Sequence, residues 1–309
     1  MKREFPTQKE IIRQERRKWS RSSLDDVLLC REERFLSGGF LFKKFVLSFD
    51  GKKERSCRGE ETALRILFFS DTHIRNDFSR SFFPCLKWQG STLIFENLEE
   101  SIALAKPDIL LFGGDLAGES CIYPESAALF SRLAVPEKFA IHGNWDKKGN
   151  TALSYAARRK MLEEAGVRLL VNEGVFLRKD LFLYGFDDTR MGYPLLSLPD
   201  EAANGEIIRI FAAHSPDTVT GRLQKENISL NEKDLFLCGH THGGQIRMPL
   251  FGALRTSTYS GKKLEMAWYE HKENHAKMFV SSGIGTTFIH TRIFSPPEIV
   301  LLEIKSRQG

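Results

Sequence analysis

A chain of 309 residues, 41% of them apolar and 28% charged, carries too many core-forming side chains for disorder and enough length for one large domain with a further element. Five scattered cysteines without a C-x-x-C pair exclude a disulfide framework and a thiolate zinc site, and fit a reducing compartment. The net charge of +5 lies wholly in residues 1–61, with 16 Lys/Arg against 11 Asp/Glu; the other 248 residues hold 29 of each, so no nucleic-acid partner is expected for the main body.

In chain order, the start MKREFPTQKE is basic but lacks a following apolar run, so no secretory signal is expected. No stretch approaches the ~18 to 20 apolar residues that span a bilayer. The expected location is cytoplasmic, with peripheral attachment to the inner face of a membrane as an extension. Residues 1–61 read as a basic N-terminal appendage: a charged helix from Gln8 to Trp19, then Phe35 to Phe49, where aromatics mix with Lys43 and Lys44. That second piece is either a hairpin packed over the core or an interfacial anchor.

From residue 62 to 309 the pattern changes. Short apolar runs of strand length occur at Leu64–Phe69, Ile109–Phe112, Phe139–Ile141, Leu181–Tyr184, Ile207–Ala213, Leu235–Cys238, Met278–Val280 and Ile299–Ile304. Helix-length segments with three- and four-residue apolar spacing lie between some of them, at Phe95–Lys106 and Ala152–Ala165. The alternation predicts an α/β domain of layered sheets, with functional groups just past the carboxyl ends of strands. Within residues 78–88, Phe78, Phe82, Phe83, Pro84, Leu86 and Trp88 lie near Arg75, Arg80 and Lys87. This segment suits either acyl chains at a membrane interface or ordinary packing of an insertion.

Five strand ends carry metal-ligand chemistry: Asp71-Thr-His73, Gly113-Gly-Asp115, Gly143-Asn144, His214 and Gly239-His240-Thr-His242. One Asp-x-His or one His is weak evidence, but five in succession after apolar runs are not a chance pattern. Imidazole and carboxylate without thiolate suit manganese, iron or zinc, with Mn²⁺ the first choice. A pair of divalent ions ~3.5 to 4 Å apart needs a shared anionic ligand, and Asp115 is placed to bridge them. Glycines before the ligands permit tight turns and close backbone approach.

These motifs resemble those of the calcineurin-like metallophosphoesterase superfamily, which run D-x-H, G-D, G-N-H-D/E, H and G-H-x-H. The resemblance spans residues 64 to 304 and implies a four-layer α/β/β/α sandwich, here with the N-terminal appendage. It implies that Asp71, His73, Asp115 and His242 hold one metal, and Asp115, Asn144, His214 and His240 the other. Asp115, Asn144 and His214 form the expected catalytic core of a metal-dependent hydrolase whose nucleophile is water.

The third motif departs from the family: in His142-Gly-Asn-Trp-Asp146, Trp145 stands where a proton-transferring His is usual. Trp cannot supply that proton, which favours a good leaving group such as the phosphate of a pyrophosphate over an alkoxide. Replacement at this site also occurs in UDP-2,3-diacylglucosamine pyrophosphatases, and the stretch from Leu237 to Gly252 is similar to the membrane-associated phosphodiesterase branch that includes such enzymes. The resemblance therefore implies release of UMP and 2,3-diacylglucosamine 1-phosphate, a step of lipid A biosynthesis, from a lipid-linked nucleotide. A broader phosphodiesterase on nucleotides or phospholipids is the alternative; a non-catalytic metal-binding scaffold is a third, disfavoured because no ligand is missing. Arg190, Arg247 and Trp145 are candidate substrate-binding residues, the two guanidinium groups for a diphosphate. His142 is expected to support the site from behind the ligands, and His271, His275 and His290 receive no role.

Overall fold

The computed structural model describes residues 7–22, 29–37, 39–49, 64–75, 91–118, 122–147, 153–221, 229–289 and 291–305. The aromatic segment 78–88 and His290 lie outside them. Strands follow one another as β1 (Trp19–Arg21), β2 (Leu29–Ser37), β3 (Phe40–Ser48), β4 (Leu64–Phe69), β5 (Ile109–Phe112), β6 (Glu137–Ala140), β7 (Arg168–Leu169), β8 (Glu173–Arg178) and β9 (Leu181–Gly185). They continue as β10 (Ile208–Ala213), β11 (Asp234–Cys238), β12 (Arg247–Met248), β13 (Gly252–Ala253), β14 (Ala267–His271), β15 (Lys277–Val280) and β16 (Glu298–Lys305).

Two seven-stranded sheets result, in the orders β2-β3-β16-β4-β5-β6-β7 and β1-β14-β15-β11-β10-β9-β8, with β12 and β13 forming a separate ribbon. The alternation along β4 shows how the layers form. Ile66 and Phe68 join Leu111, Leu183, Ile210 and Leu237 between the two sheets, while Leu67 and Phe69 face outward onto Phe95 and Leu98 of the helix Ser91–Ala105. On the other side, Phe211 and Phe236 pack with Val219 of the helix Pro216–Gly221. The layers are therefore helix, sheet, sheet, helix, an α/β sandwich of the expected kind.

β4, β5, β6 and β7 are mutually parallel, as are β9, β10, β11 and β15, so their carboxyl ends gather along one edge of each sheet. That edge carries the candidate ligands.

The N-terminal segment shares both sheets with the rest of the chain. β3 runs parallel to β16 in register from Leu41 opposite Glu298 to Ser48 opposite Lys305, and β1 pairs with β14. Phe40, Phe42, Phe45 and Leu47 are buried, Phe35 stacks on Phe42 at 4.6 Å, and the two lysines are tied down, Lys43 to Glu298 and Lys44 to Glu303. The Phe35–Phe49 stretch is thus the hairpin of the two alternatives. Among the described residues no helix is long and apolar enough to cross a membrane.

Helix ends differ from the expected ones for local reasons. The segment expected from Ala152 begins at Tyr155, because Ser154 caps it by accepting the Ala157 amide. The helix expected from Phe95 begins at Ser91.

Candidate metal centre

Seven side chains named from the sequence converge where the two sheets meet. Asp71 and His73 follow β4, Asp115 follows β5, Asn144 follows β6, His214 follows β10, and His240 and His242 follow β11. All seven are buried. Asp71, His73 and His242 form one cluster with ligand atoms within 4.8 Å of one another; Asp115, His214 and His240 form a second by the same measure. Each cluster draws on both sheets.

Asp115 joins the clusters. Its Oδ2 lies 3.4 Å from His73 Nε2 and 3.2 Å from His214 Nε2, while its Oδ1 accepts the Trp145 amide at 2.7 Å. One carboxylate oxygen between two imidazoles is the geometry of a bridging ligand. Elsewhere ring nitrogens face each other directly, with His73 Nε2 3.1 Å from His242 Nε2 and His240 Nδ1 3.1 Å from His214 Nε2.

The backbone beneath these groups is unusual. Five of the seven candidate ligands, Asp71, His73, Asp115, His240 and His242, have φ between 44° and 66°, a left-handed conformation that costs a non-glycine residue on the order of 1 kcal/mol. Surrounding bonds hold it. Asp71 accepts from the Ser70 hydroxyl at 2.6 Å and the His240 amide at 3.0 Å, tying β4 to β11 across the two sheets. His214 Nδ1 sits 2.8 Å from the Gly113 carbonyl and His242 Nδ1 3.2 Å from that of Gly285, orienting both rings. A Cβ at Gly143 would stand 2.1 Å from Asp115 Oδ1, so only glycine fits beside that carboxylate.

Two residues that the sequence left without a role prove central. The Asp146 carboxylate accepts the amides of Asp115, Leu116 and Gly143, each at 2.8 Å, and so clamps the loops after β5 and β6 together. Arg292 donates to the carbonyls of Gly285, Ser282 and Ser295 and lies 3.2 Å from His242 Nδ1.

Electrostatics show what the cluster lacks. Burial drives His73 and His240 well below the ordinary imidazole range and His242 down to about 3, so these rings stand neutral with lone pairs available. Burial also raises Asp115, against the pull of His214, and raises Asp146. His214 moves up despite its burial, because the carboxylates of Asp115 and, secondarily, Asp71 and Asp188 favour its charge. Asn144 Oδ1 is buried without a hydrogen-bond partner among the described residues. Neutral imidazoles, converging carboxylates and an orphaned amide oxygen suit a pair of divalent cations and little else. Two such ions would supply Lewis acidity for polarising a phosphoryl group and water, and positive charge to offset the charge that builds on phosphoryl oxygens.

The sequence from Leu64 to Gly244 matches the family model described as calcineurin-like phosphoesterase. The chain belongs to that family. Similar proteins include an uncharacterized metallophosphoesterase, YkuE, of Bacillus subtilis, 28% identical over 78% of this chain and 79% of its own. The phosphodiesterase YaeI of Escherichia coli is 29% identical over 78% and 82%, and a metallophosphoesterase of Aquifex aeolicus 31% identical over 65% and 74%. This phosphoesterase is a metal-dependent hydrolase of a dinuclear family, and its two clusters are the two positions such a centre needs.

The remaining candidates are placed as follows. Trp145 sets its ring edge-to-face with His73, centroids 5.5 Å apart. Arg190 is exposed, stacks over Tyr259 at 5.7 Å, and its charge reaches His240. Arg247 is engaged through Nη1 by the Glu265 carboxylate and the Gly243 carbonyl. His142 is buried against Tyr155, ring centroids 6.0 Å apart, and supports the loop by packing. His271 packs on Trp19 and His275 pairs with Glu270.

Binding of a divalent cation should stabilise the fold measurably. At ~100 times Kd each site adds about 2.7 kcal/mol, which in a domain of this size raises Tm by roughly 5 °C or more. Scanning calorimetry with Mn²⁺ and with a chelator measures this; superimposable melts would remove the metal assignment.

Proposed function

We propose that this phosphoesterase cleaves the diphosphate of UDP-2,3-diacylglucosamine, giving UMP and 2,3-diacylglucosamine 1-phosphate, with manganese as its working metal at the cytoplasmic face of a membrane. The observation that supports the reading is the environment of Trp145. Its ring stands between His73 and Phe288, 5.5 and 5.9 Å away, where it offers packing and no proton to a departing alkoxide. A substrate suited to such a site brings a leaving group that departs as a stable anion. In a nucleotide diphosphate, water attacks the uridylyl phosphorus, the bridging P–O bond breaks with its electron pair passing to the sugar phosphate, and the proton from water is lost to solvent. No leaving-group acid is needed. In this reading Arg190, exposed and close enough for its charge to act on His240, holds the second phosphate.

Incubation of the purified protein with Mn²⁺ and UDP-2,3-diacylglucosamine should release UMP. A preference for simple nucleotide or phospholipid diesters would instead favour the broader phosphodiesterase activity for which YaeI is named. Trp145→His is expected to shift the ratio of kcat/KM values toward an alkyl phosphomonoester such as phosphoserine by on the order of tenfold or more. An unshifted ratio would separate Trp145 from leaving-group selection.

A further inference from the structure

The described residues expose sixteen large apolar side chains, and eight of them fall in two short segments, 248–254 and 288–294. The segments are neighbours. Ile246 and Ile293 form a parallel bridge, the Arg247 amide donates to the Ile293 carbonyl at 2.9 Å, and the Thr287 amide donates to Gln245 Oε1 at 2.8 Å. Together the β12–β13 turn and the loop before β16 make one platform.

Its outermost side chains are almost fully in solvent: Leu250 at 103% relative exposure, Phe288 at 78%, Phe251 at 77% and Phe294 at 67%. Leu250, Phe288 and Phe294 also hold φ of 68°, 54° and 52°, conformations that bulky residues avoid. Strained backbone that projects apolar groups into water gains nothing within the monomer. A surface of this kind marks an interaction site.

Charge identifies the partner. Arg255, next to Leu254, and Lys262 and Lys263 are exposed, whereas Arg247 is paired with Glu265 and Arg292 is held by backbone carbonyls. An apolar tip flanked by the exposed Arg255, Lys262 and Lys263 complements an anionic lipid surface, into which Leu and Phe insert while Lys and Arg stay at the headgroups. The platform is also continuous with the metal centre, because Phe288 touches Trp145, Trp145 touches His73, and Arg292 touches His242.

We infer that the platform formed by residues 248–254, 288–289 and 291–294 docks this phosphoesterase on an anionic bilayer with the mouth of its metal centre at the lipid surface. The inference deepens the membrane location proposed above by assigning the surface that makes the contact, and it stands without the substrate assignment, since a docked enzyme can act on any phosphoester at the interface.

Co-sedimentation with phosphatidylcholine vesicles, with and without phosphatidylglycerol, tests it on the full chain. Wild type should pellet with the phosphatidylglycerol vesicles and not with phosphatidylcholine alone. The double variant L250E/F251E and the separate variant F294E should each bind those vesicles on the order of tenfold less tightly, while hydrolysing soluble bis(p-nitrophenyl) phosphate at the wild-type rate, which shows that they are folded. R255Q/K262Q/K263Q should weaken the response to phosphatidylglycerol. The inference is overturned if wild type stays in the supernatant, or if the glutamate variants pellet as well as wild type. It is equally overturned if wild type dimerises through this face without lipid and ignores vesicles, which would make a second copy the occupant.

Discussion

Replacing Asp115 with Asn should abolish turnover while leaving the fold intact. Among the described residues its Oδ2 is the carboxylate oxygen that faces imidazoles of both clusters, and its Oδ1 is already taken by the Trp145 amide. An amide at this position has no charge to share between two cations, and its NH₂ group would point at a ring nitrogen or at the Trp145 N–H. The expected fall in kcat is at least roughly 10³-fold, with bound metal dropping from two ions per chain to one or none by elemental analysis. Normal occupancy with normal turnover would remove Asp115 from the bridging role.

The second large effect is on stability. Asp146 stands outside both metal clusters, yet it accepts three buried backbone amides from two loops. Asp146→Ala leaves those donors without an acceptor, and part of that loss is offset by removing a carboxylate whose burial is itself unfavourable. The net destabilisation should be about 3 kcal/mol, or roughly 5 °C in Tm. Asp146→Asn, which retains an acceptor but adds a donor among donors, should fall between. Metal affinity should weaken with stability, because Asp115 and Asn144 lose their common anchor. A variant melting with wild type would show that the loops are held by other means.

The site was largely legible because buried parallel strands read as unbroken apolar runs, and five of the eight runs are followed within a few residues by a candidate ligand. Leu64–Phe69 before Asp71 and Leu235–Cys238 before His240 are examples. Strands half-open to solvent gave no such signal: β8 carries Glu173 and Arg178 and is only partly buried, and β14 mixes Glu270 and His271 with its aromatics. Asp146 was visible as a residue but not as a clamp, since its function depends on amides brought together from two loops. Arg292, fifty positions from the His242 it supports, belongs to no local pattern at all. Arg247 shows the converse: five residues past His242 its sequence position gives no sign of the Glu265 carboxylate that folding brings to it. The platform at 248–254 was visible only as the end of the Leu237–Gly252 stretch, because its exposure cannot be read from composition.

That each cluster takes ligands from both sheets has a consequence for the scaffold itself. Cations that clasp the two layers must, by thermodynamic reciprocity, be held more tightly the better the layers fit. Side chains in the seam far from any ligand, such as Phe45 or Leu183, are therefore silent partners in metal affinity. Trimming one would lower Tm and, through the same coupling, loosen the hold on the ions.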